Sequence, residues 1–290
     1  MAVHFAAEVS SNHNRSLKRC LEFIDQAAMI NCTSVKFQLF RIDDLFIPEV
    51  IANRPDIKQR KQWELPVDFL PHLAERCREK GVTFGCTPFY LKAVEVLYPY
   101  VDYYKIASYE LLWSDLLKEC AGSKKPITLS TGMATMEEVD RAVHTIRESG
   151  GEDLTLLHCA SAYPASAKSC NLAAMDTMRK QFKLPVGWSD HSVQPAVIQR
   201  AVHRWQASMV EFHLDLEGQG EEFASGHCWL PGQIESVIAE INLGFTADGR
   251  TIKEPAPEEM IERSWRADPV DGLRPLQETR RSINNDGKRS

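Results

Sequence analysis

Residues 186–213, VGWSDHSVQPAVIQRAVHRWQASMVEFH, hold the unit that decides the fold. Val186 to His191 is a short apolar run that ends on polar residues. Residues 194–205 then place apolar side chains at helical spacing, and Met209 to His213 is a second apolar run ending on a histidine. Strand, helix, strand in that order predicts two parallel strands joined by a crossover helix. Working outward, the same alternation recurs along the chain. Its other strands are His4 to Glu8, Val35 to Gln38, Thr83 to Thr87, Tyr103 to Ser108, Ile127 to Thr131 and Leu154 to Ser161. Helical patterns follow nearly every one, among them Leu17, Leu21, Ile24 and Ala28, then residues 66–80 ended by Gly81. Eight strands alternating with eight helices predict a (β/α)8 TIM barrel. Periodicity alone also allows a doubly wound sheet, but every strand ends near residues suited to polar chemistry. Only in a barrel do all those ends share one mouth.

The barrel is expected over residues 1–245. Within it, residues 41–63 break the pattern with Pro48, Pro55 and several charges. So long a loop is either a lid or substrate loop or a solvated insertion. Helices are expected at about 90–98, 114–121, 135–149, 171–182 and 231–243. Residues 246–290 turn rich in charge, Pro and Gly, too short and polar for a core of their own, and are expected to form an extended tail with 284–290 frayed.

The 290 residues are 43% hydrophobic and 26% charged, which places the chain among globular proteins. A net charge of −6 gives no general reason to bind nucleic acid or an acidic membrane, so any anionic ligand must be held by a few placed cations. No run reaches the ~18 apolar residues of a membrane span. The N-terminus lacks the basic region of a secretory signal. The eight cysteines form no C-x-x-C pair and sit in apolar patterns, so they are expected to be reduced, buried thiols of a cytoplasmic protein.

Two constellations carry chemistry. His191 and His213 end adjacent strands, a half-site for a divalent transition metal with positions left for substrate and water. Glu8 lies next to the last strand once a barrel closes, and Asp190 and Glu211 flank the histidines. A strand-end histidine is otherwise a satisfied core residue. Lys36 and Lys105, with Thr87, Ser108, Ser130, Thr131 and Ser189, surround the same mouth with cations and hydroxyls, as a phosphate or carboxylate requires. Each hydroxyl has a plainer role as a helix cap. An inward lysine has none, because burying it without an anion costs several kcal/mol, on the order of an unpaired buried ion.

Ala7 to Asn14, Val35 to Gln38, Thr87 to Phe89, Tyr104 to Glu110, Leu129 to Met133, Leu157 to Cys159 with Tyr163-Pro164, and Gly187 to His191 resemble, in order, the motifs of the sialic acid (N-acetylneuraminate) synthase family. The resemblance covers roughly residues 4–245. It implies condensation of phosphoenolpyruvate with an open-chain amino sugar of the N-acetylmannosamine type, giving a nine-carbon 2-keto-3-deoxy acid and phosphate. It further implies that His191 and His213 hold a divalent ion, Mn²⁺ first with Mg²⁺ or Co²⁺ as alternatives. Lys36, Thr87, Lys105, Ser108, Ser130 and Ser189 would take the phosphate, Ser161 and Tyr163 the carboxylate. Gln38 and Tyr163 would meet the sugar, and Glu8 would orient water or move a proton. A homodimer is expected.

Three departures from the family pattern bear on these expectations. The last strand reads Glu211-Phe212-His213 and lacks the family's basic residue before the histidine. The family's sugar-binding aspartate falls on Ala224, with Glu222, Glu221 or His227 as substitutes. Most members continue past Arg-Arg-Ser-Ile, here Arg280 to Ile283, into an antifreeze-like domain that is expected to be absent. Arg266, or Arg263 or Arg274, is expected to replace its sugar contact. Three other readings stay open: a modified amino sugar of the legionaminic or pseudaminic type, a Schiff-base aldolase acting through Lys105, and a non-catalytic barrel that binds a sugar acid.

Overall fold

A computed structural model describes residues 3–286. Eight parallel strands close on themselves: β1 (His4–Glu8), β2 (Ser34–Leu39), β3 (Thr83–Pro88), β4 (Tyr103–Ile106), β5 (Ile127–Ser130), β6 (Leu154–Cys159), β7 (Val186–Asp190) and β8 (Met209–Leu214). Closure is the β1–β8 pairing, which sets His4 beside Met209 and Glu8 beside His213. The fold is therefore the expected (β/α)8 barrel. A two-residue strand, β9 (Cys228–Trp229), adds beside β8 with His213 opposite Cys228.

The lumen is filled at its lower end and polar at its upper end. Ala6, Tyr103, Leu157 and Met209 pack together there, and two glycines make room for them. A Cβ on Gly85 would overlap the Tyr103 ring, and one on Gly187 would overlap the Met209 carbonyl. One layer up, the same alternation turns Glu8, Lys36, Lys105 and Glu211 inward, each at most 4% exposed.

The helices follow their sequence signals. Helix Leu17–Met29 starts at Ser16, whose side chain accepts from Arg19 N, and helix Met136–Glu148 starts with a capping box of Thr135 and Glu138. Gly81 ends helix Leu70–Lys80 in the left-handed region at φ 69°. Helix Pro195–Gln199 continues as a π turn over Arg200–Arg204. The expected helix over 171–182 begins only at Ala174, and that over 231–243 runs Pro231–Asp248.

Residues 41–63 are not an irregular loop. They form Ile42–Leu45, Pro48–Asn53, Pro55–Gln59 and the 3-10 turn Arg60–Trp63, four short helices gathered on Phe40, Ile42 and Ile57. Their prolines sit in first turns, where a missing N–H costs nothing.

The chain divides into compact units of residues 1–243 and 244–290. The second unit is more structured than an extended tail. It contains helices Met260–Arg263 and Gln277–Asp286, and Asp268 accepts from Val270 N (3.0 Å) and Gln277 N (2.8 Å). The polar composition hid this organisation, because carboxylate caps rather than apolar burial carry it. Of the expected frayed end, residues 287–290 lie outside the described residues.

Candidate active site

A cavity of about 720 Å³ opens at the carboxyl ends of the strands, the volume of a site for small ligands. Its floor is a charge network. Lys36 Nζ contacts the Glu8 carboxylate, lies 3.9 Å from Glu211 Oε2 and donates to Thr87 Oγ1 at 3.3 Å. Lys105 Nζ lies 3.3 Å from Glu211 Oε1, which also accepts from Ser189 Oγ at 3.1 Å. The two inward lysines thus find their anions inside the protein, a partner that the cation pattern alone did not show. Burial pulls the Lys36 ammonium down to about 8. Burial alone would raise Glu211, but Lys105 and Lys36 overcome it and hold that carboxyl below the usual range.

Beside this floor sit polar groups with capacity to spare. Ser108 Oγ accepts from Gly132 N (3.0 Å) and lies 3.3 Å from Cys159 Sγ. A Cβ on Gly132 would overlap Ser161 Oγ and come within 2.9 Å of both Ser108 Oγ and Cys159 Sγ, so the three groups converge on one point. Ser130 Oγ and Ser161 Oγ are buried without hydrogen-bond partners, as is Glu110 Oε2. Burial raises the Glu110 carboxyl to about 7, with Lys105 and Lys36 opposing. Unpaired buried hydroxyls are costly unless a ligand meets them.

The opposite wall is imidazole. His191 and His213 rings stand 5.4 Å apart between centroids, and His213 and His227 rings 5.0 Å apart. Tyr163 packs on His191 at 4.3 Å. His191 Nδ1 lies 2.8 Å from Ala160 O and His213 Nδ1 lies 2.8 Å from Glu222 Oε2. Both partners only accept, so Nδ1 carries a hydrogen in each ring and each Nε2 is the atom not engaged by these acceptors. Burial, with His213 and His227 nearby, pushes the His191 imidazole down to about 3, into the neutral form that a metal binds. These residues fit a divalent ion by nitrogen chemistry and by the acceptors that fix both rings.

Asp190, next to His191, is buried and spends its carboxylate on hydrogen bonds within the protein. Its carboxylate accepts from Trp188 Nε1 (3.0 Å), Ser192 Oγ (2.6 Å), Val193 N (3.1 Å) and Trp229 Nε1 (3.0 Å). It fastens the end of β7 to β9 and so sets the backbone that carries His191. Glu222 is similarly engaged. Oε1 accepts from Ser11 N (3.1 Å) and Ser11 Oγ (2.6 Å), while Oε2 serves His213, with His227 Nε2 at 3.5 Å. Where the sequence placed Glu222 at the sugar, the structure places it against His213. Glu8 Oε1 accepts from Ser10 N (3.0 Å) and Gln38 Nε2 (2.8 Å), which brings Gln38 to the cavity edge.

One cavity therefore gathers Lys36, Gln38, Lys105, Ser108, Ser130, Tyr163, Ser189, His191, His213 and Glu222, with Glu8 and Thr87 buried beneath Lys36. All described lining residues fall between positions 10 and 227. Arg266 belongs to the second unit, where it is exposed and donates to Arg263 O. Glu110 and Glu211 also line the cavity without an expected role of their own, as does His227, which was expected only as a substitute at the sugar. Glu211 was detectable as the inward neighbour two residues before His213. Glu110 ends a motif visible in the sequence and His227 lies in the loop after β8, but no periodicity announces that either faces the cavity.

A model of the NeuB family matches residues 23–253. The N,N'-diacetyllegionaminic acid synthase of Legionella pneumophila is 31% identical over 278 residues, covering 90% of this chain and 77% of that protein. The N-acetylneuraminate-9-phosphate synthase of Drosophila melanogaster is 31% identical over 252 residues, covering 83% and 67%. The N-acetylneuraminic acid synthetase of Leptospira borgpetersenii, solved with citrate, superposes with a TM-score of 0.80 at 28% identity and 90% coverage of each chain.

Proposed function

We infer the reaction of this chain from one premise: it belongs to the NeuB family. It condenses phosphoenolpyruvate with the open-chain form of an amino sugar to a 2-keto-3-deoxy nonulosonic acid, releasing phosphate. C3 of the enol attacks the aldehyde carbon, water adds at C2, and the C2–O bond to phosphate breaks. The observation that carries this reading is the meeting, in one cavity, of two lysines and the unpaired Ser130 hydroxyl, with that of Ser161 close by, and the facing imidazoles of His191 and His213.

In this proposal Lys36, Lys105, Thr87, Ser108, Ser130 and Ser189 hold the phosphate, and Ser161 and Tyr163 meet the carboxylate. The network on the floor already balances two ammonium groups with Glu8 and Glu211, so Glu110 enters protonated and donates to the arriving anion. Gln38 and Tyr163 position the sugar. Glu8, fixed by Ser10 and Gln38, accepts a proton from the water that adds to C2. His191 and His213 would hold a divalent ion, Mn²⁺ in our reading, whose Lewis acidity would polarise the aldehyde. Held cations and donors then stabilise charge as it moves, which is where such sites gain most of their rate. Eight unpaired buried thiols support a reducing, cytoplasmic setting. Among the described residues no helix is long and apolar enough to cross a membrane. The reading includes a homodimer, which light scattering tests.

Mixing the protein with phosphoenolpyruvate, Mn²⁺ and N-acetylmannosamine or related amino sugars is expected to release phosphate, and EDTA to stop it. Condensation of pyruvate with the sugar in EDTA and without phosphoenolpyruvate, with borohydride trapping pyruvate as a secondary amine on Lys105, would instead establish the aldolase reading.

A further inference from the structure

We propose that His213, Glu222, His227 and Cys228 form a second metal seat, built for zinc or a similar thiophilic divalent ion and reached through Nδ1 of His213. Its consequence, which rests on the reading above, is that filling this seat takes His213 from the ion of the reaction. One ligand atom from each of the four residues lies within 4.8 Å of the other three. Glu222 Oε2 is the hub, with His213 Nδ1 at 2.8 Å, His227 Nε2 at 3.5 Å and Cys228 Sγ at 3.8 Å. Three groups that can each give up a hydrogen to a metal thus converge on one carboxylate oxygen.

The chain after β8 builds this cluster. Cys228 stands opposite His213 in the β8–β9 pairing, and Gly226 turns the backbone at φ 85° just before His227. Ser11 holds Glu222 by its other oxygen, and Asn12 Nδ2 donates to Cys228 Sγ at 3.6 Å, a contact that favours a thiolate. His227 and Cys228 are 7% and 2% exposed, and His227 Nδ1 has no hydrogen-bond partner among the described residues. Four protein ligands in a closed setting make the pattern of a zinc site, and sulfur sets this one apart from the His191–His213 pair, which offers nitrogen alone. Bonds of about 2.0–2.3 Å to zinc put ligand atoms roughly 3.5 Å apart, so the widest pairs close by about an ångström. One thiolate and one carboxylate balance the charge of the ion, and the Cys228 proton leaves to solvent. A neutral imidazole has a single lone pair. When His213 binds zinc through Nδ1, its hydrogen moves to Nε2, and that nitrogen no longer serves a second ion.

The test loads the intact chain, freed of metal by EDTA and dialysis, with Co²⁺ or Zn²⁺ alone. Co²⁺ is expected to give a thiolate-to-cobalt charge-transfer band in the near ultraviolet, kept in His191→Gln and lost in Cys228→Ser. Cys228→Ser and His227→Gln are each expected to weaken Zn²⁺ binding about 10-fold or more, and His191→Gln to leave it unchanged. Zn²⁺ added to the Mn²⁺-loaded chain is expected to release Mn²⁺, read by paramagnetic resonance, and Cys228→Ser to require about 10-fold more Zn²⁺ for the same release. The expected band and affinities in a chain that releases no phosphate from its substrates would sink the reaction assignment and leave the seat standing. The seat is overturned if the intact chain shows no charge-transfer band, if Cys228→Ser keeps the band, or if both substitutions leave Zn²⁺ affinity unchanged. Mn²⁺ that stays bound with the seat full would overturn the exclusion of one ion by the other.

Discussion

Glu110 shows how one side chain records the demands of the site. It is 8% exposed, one carboxylate oxygen lacks a partner, and burial raises it to about 7 from an ordinary 4.5. The native protein therefore keeps a proton that the unfolded chain gives up between those values. Its stabilising contribution is complete below about 4.5 and is lost as pH rises through about 7. Relative to Glu110→Gln, the wild-type protein should lose on the order of 3 kcal/mol between pH 5 and pH 8. Parallel thermal melts across that range would show it as a gap of several degrees opening toward high pH. Curves that stay parallel would mean that Glu110 is ionised in the folded state. The residue also marks a limit of legibility. Its motif was visible in the sequence, but its depth and its unpaired oxygen arise only when β4 closes against its neighbours.

At the scale of elements, the segment after β8 does what no single-strand pattern could announce. It carries Glu222 and His227 back over the barrel mouth and is held there by β9 and by Ser11. A carboxylate on the far nitrogen of a metal-type histidine fixes the ring and strengthens its lone pair, and its loss commonly weakens metal binding 10- to 100-fold. Glu222→Gln keeps the shape and removes the charge. It should lower Mn²⁺ affinity by about that factor in a paramagnetic resonance titration without substrates, while the KM for phosphoenolpyruvate stays put. Unchanged affinity would return Glu222 to a purely structural role. The strands and most helices were legible because their periods of 2 and 3.6 are local properties of the chain. Residues 41–63 were not, since their four short helices are stabilised by contacts to Phe40, Ile57 and Phe89 rather than by any long amphipathic stripe. The second unit escaped for the same reason, its order resting on Asp268 and its capped backbone.

For the whole molecule, a net charge of −6 repels the anion that the reaction consumes. The barrel resolves this by confining its decisive cations to the lumen, where Lys36 and Lys105 are 3% and 2% exposed and face a cavity rather than the surface field. Closure of β1 on β8 makes that arrangement possible, because it brings Glu8, from the start of the chain, into contact with the network that ends at His213. The central claim is that this one mouth joins an enol carbon to an aldehyde. Phosphoenolpyruvate labelled with ¹³C at C2, supplied with an amino sugar and Mn²⁺, tests it most directly by nuclear magnetic resonance. The label should move from the enol position to the ketal carbon of a nine-carbon acid, with a new carbon–carbon bond beside it, as phosphate appears. Label recovered only in phosphoenolpyruvate or in free pyruvate would contradict the account.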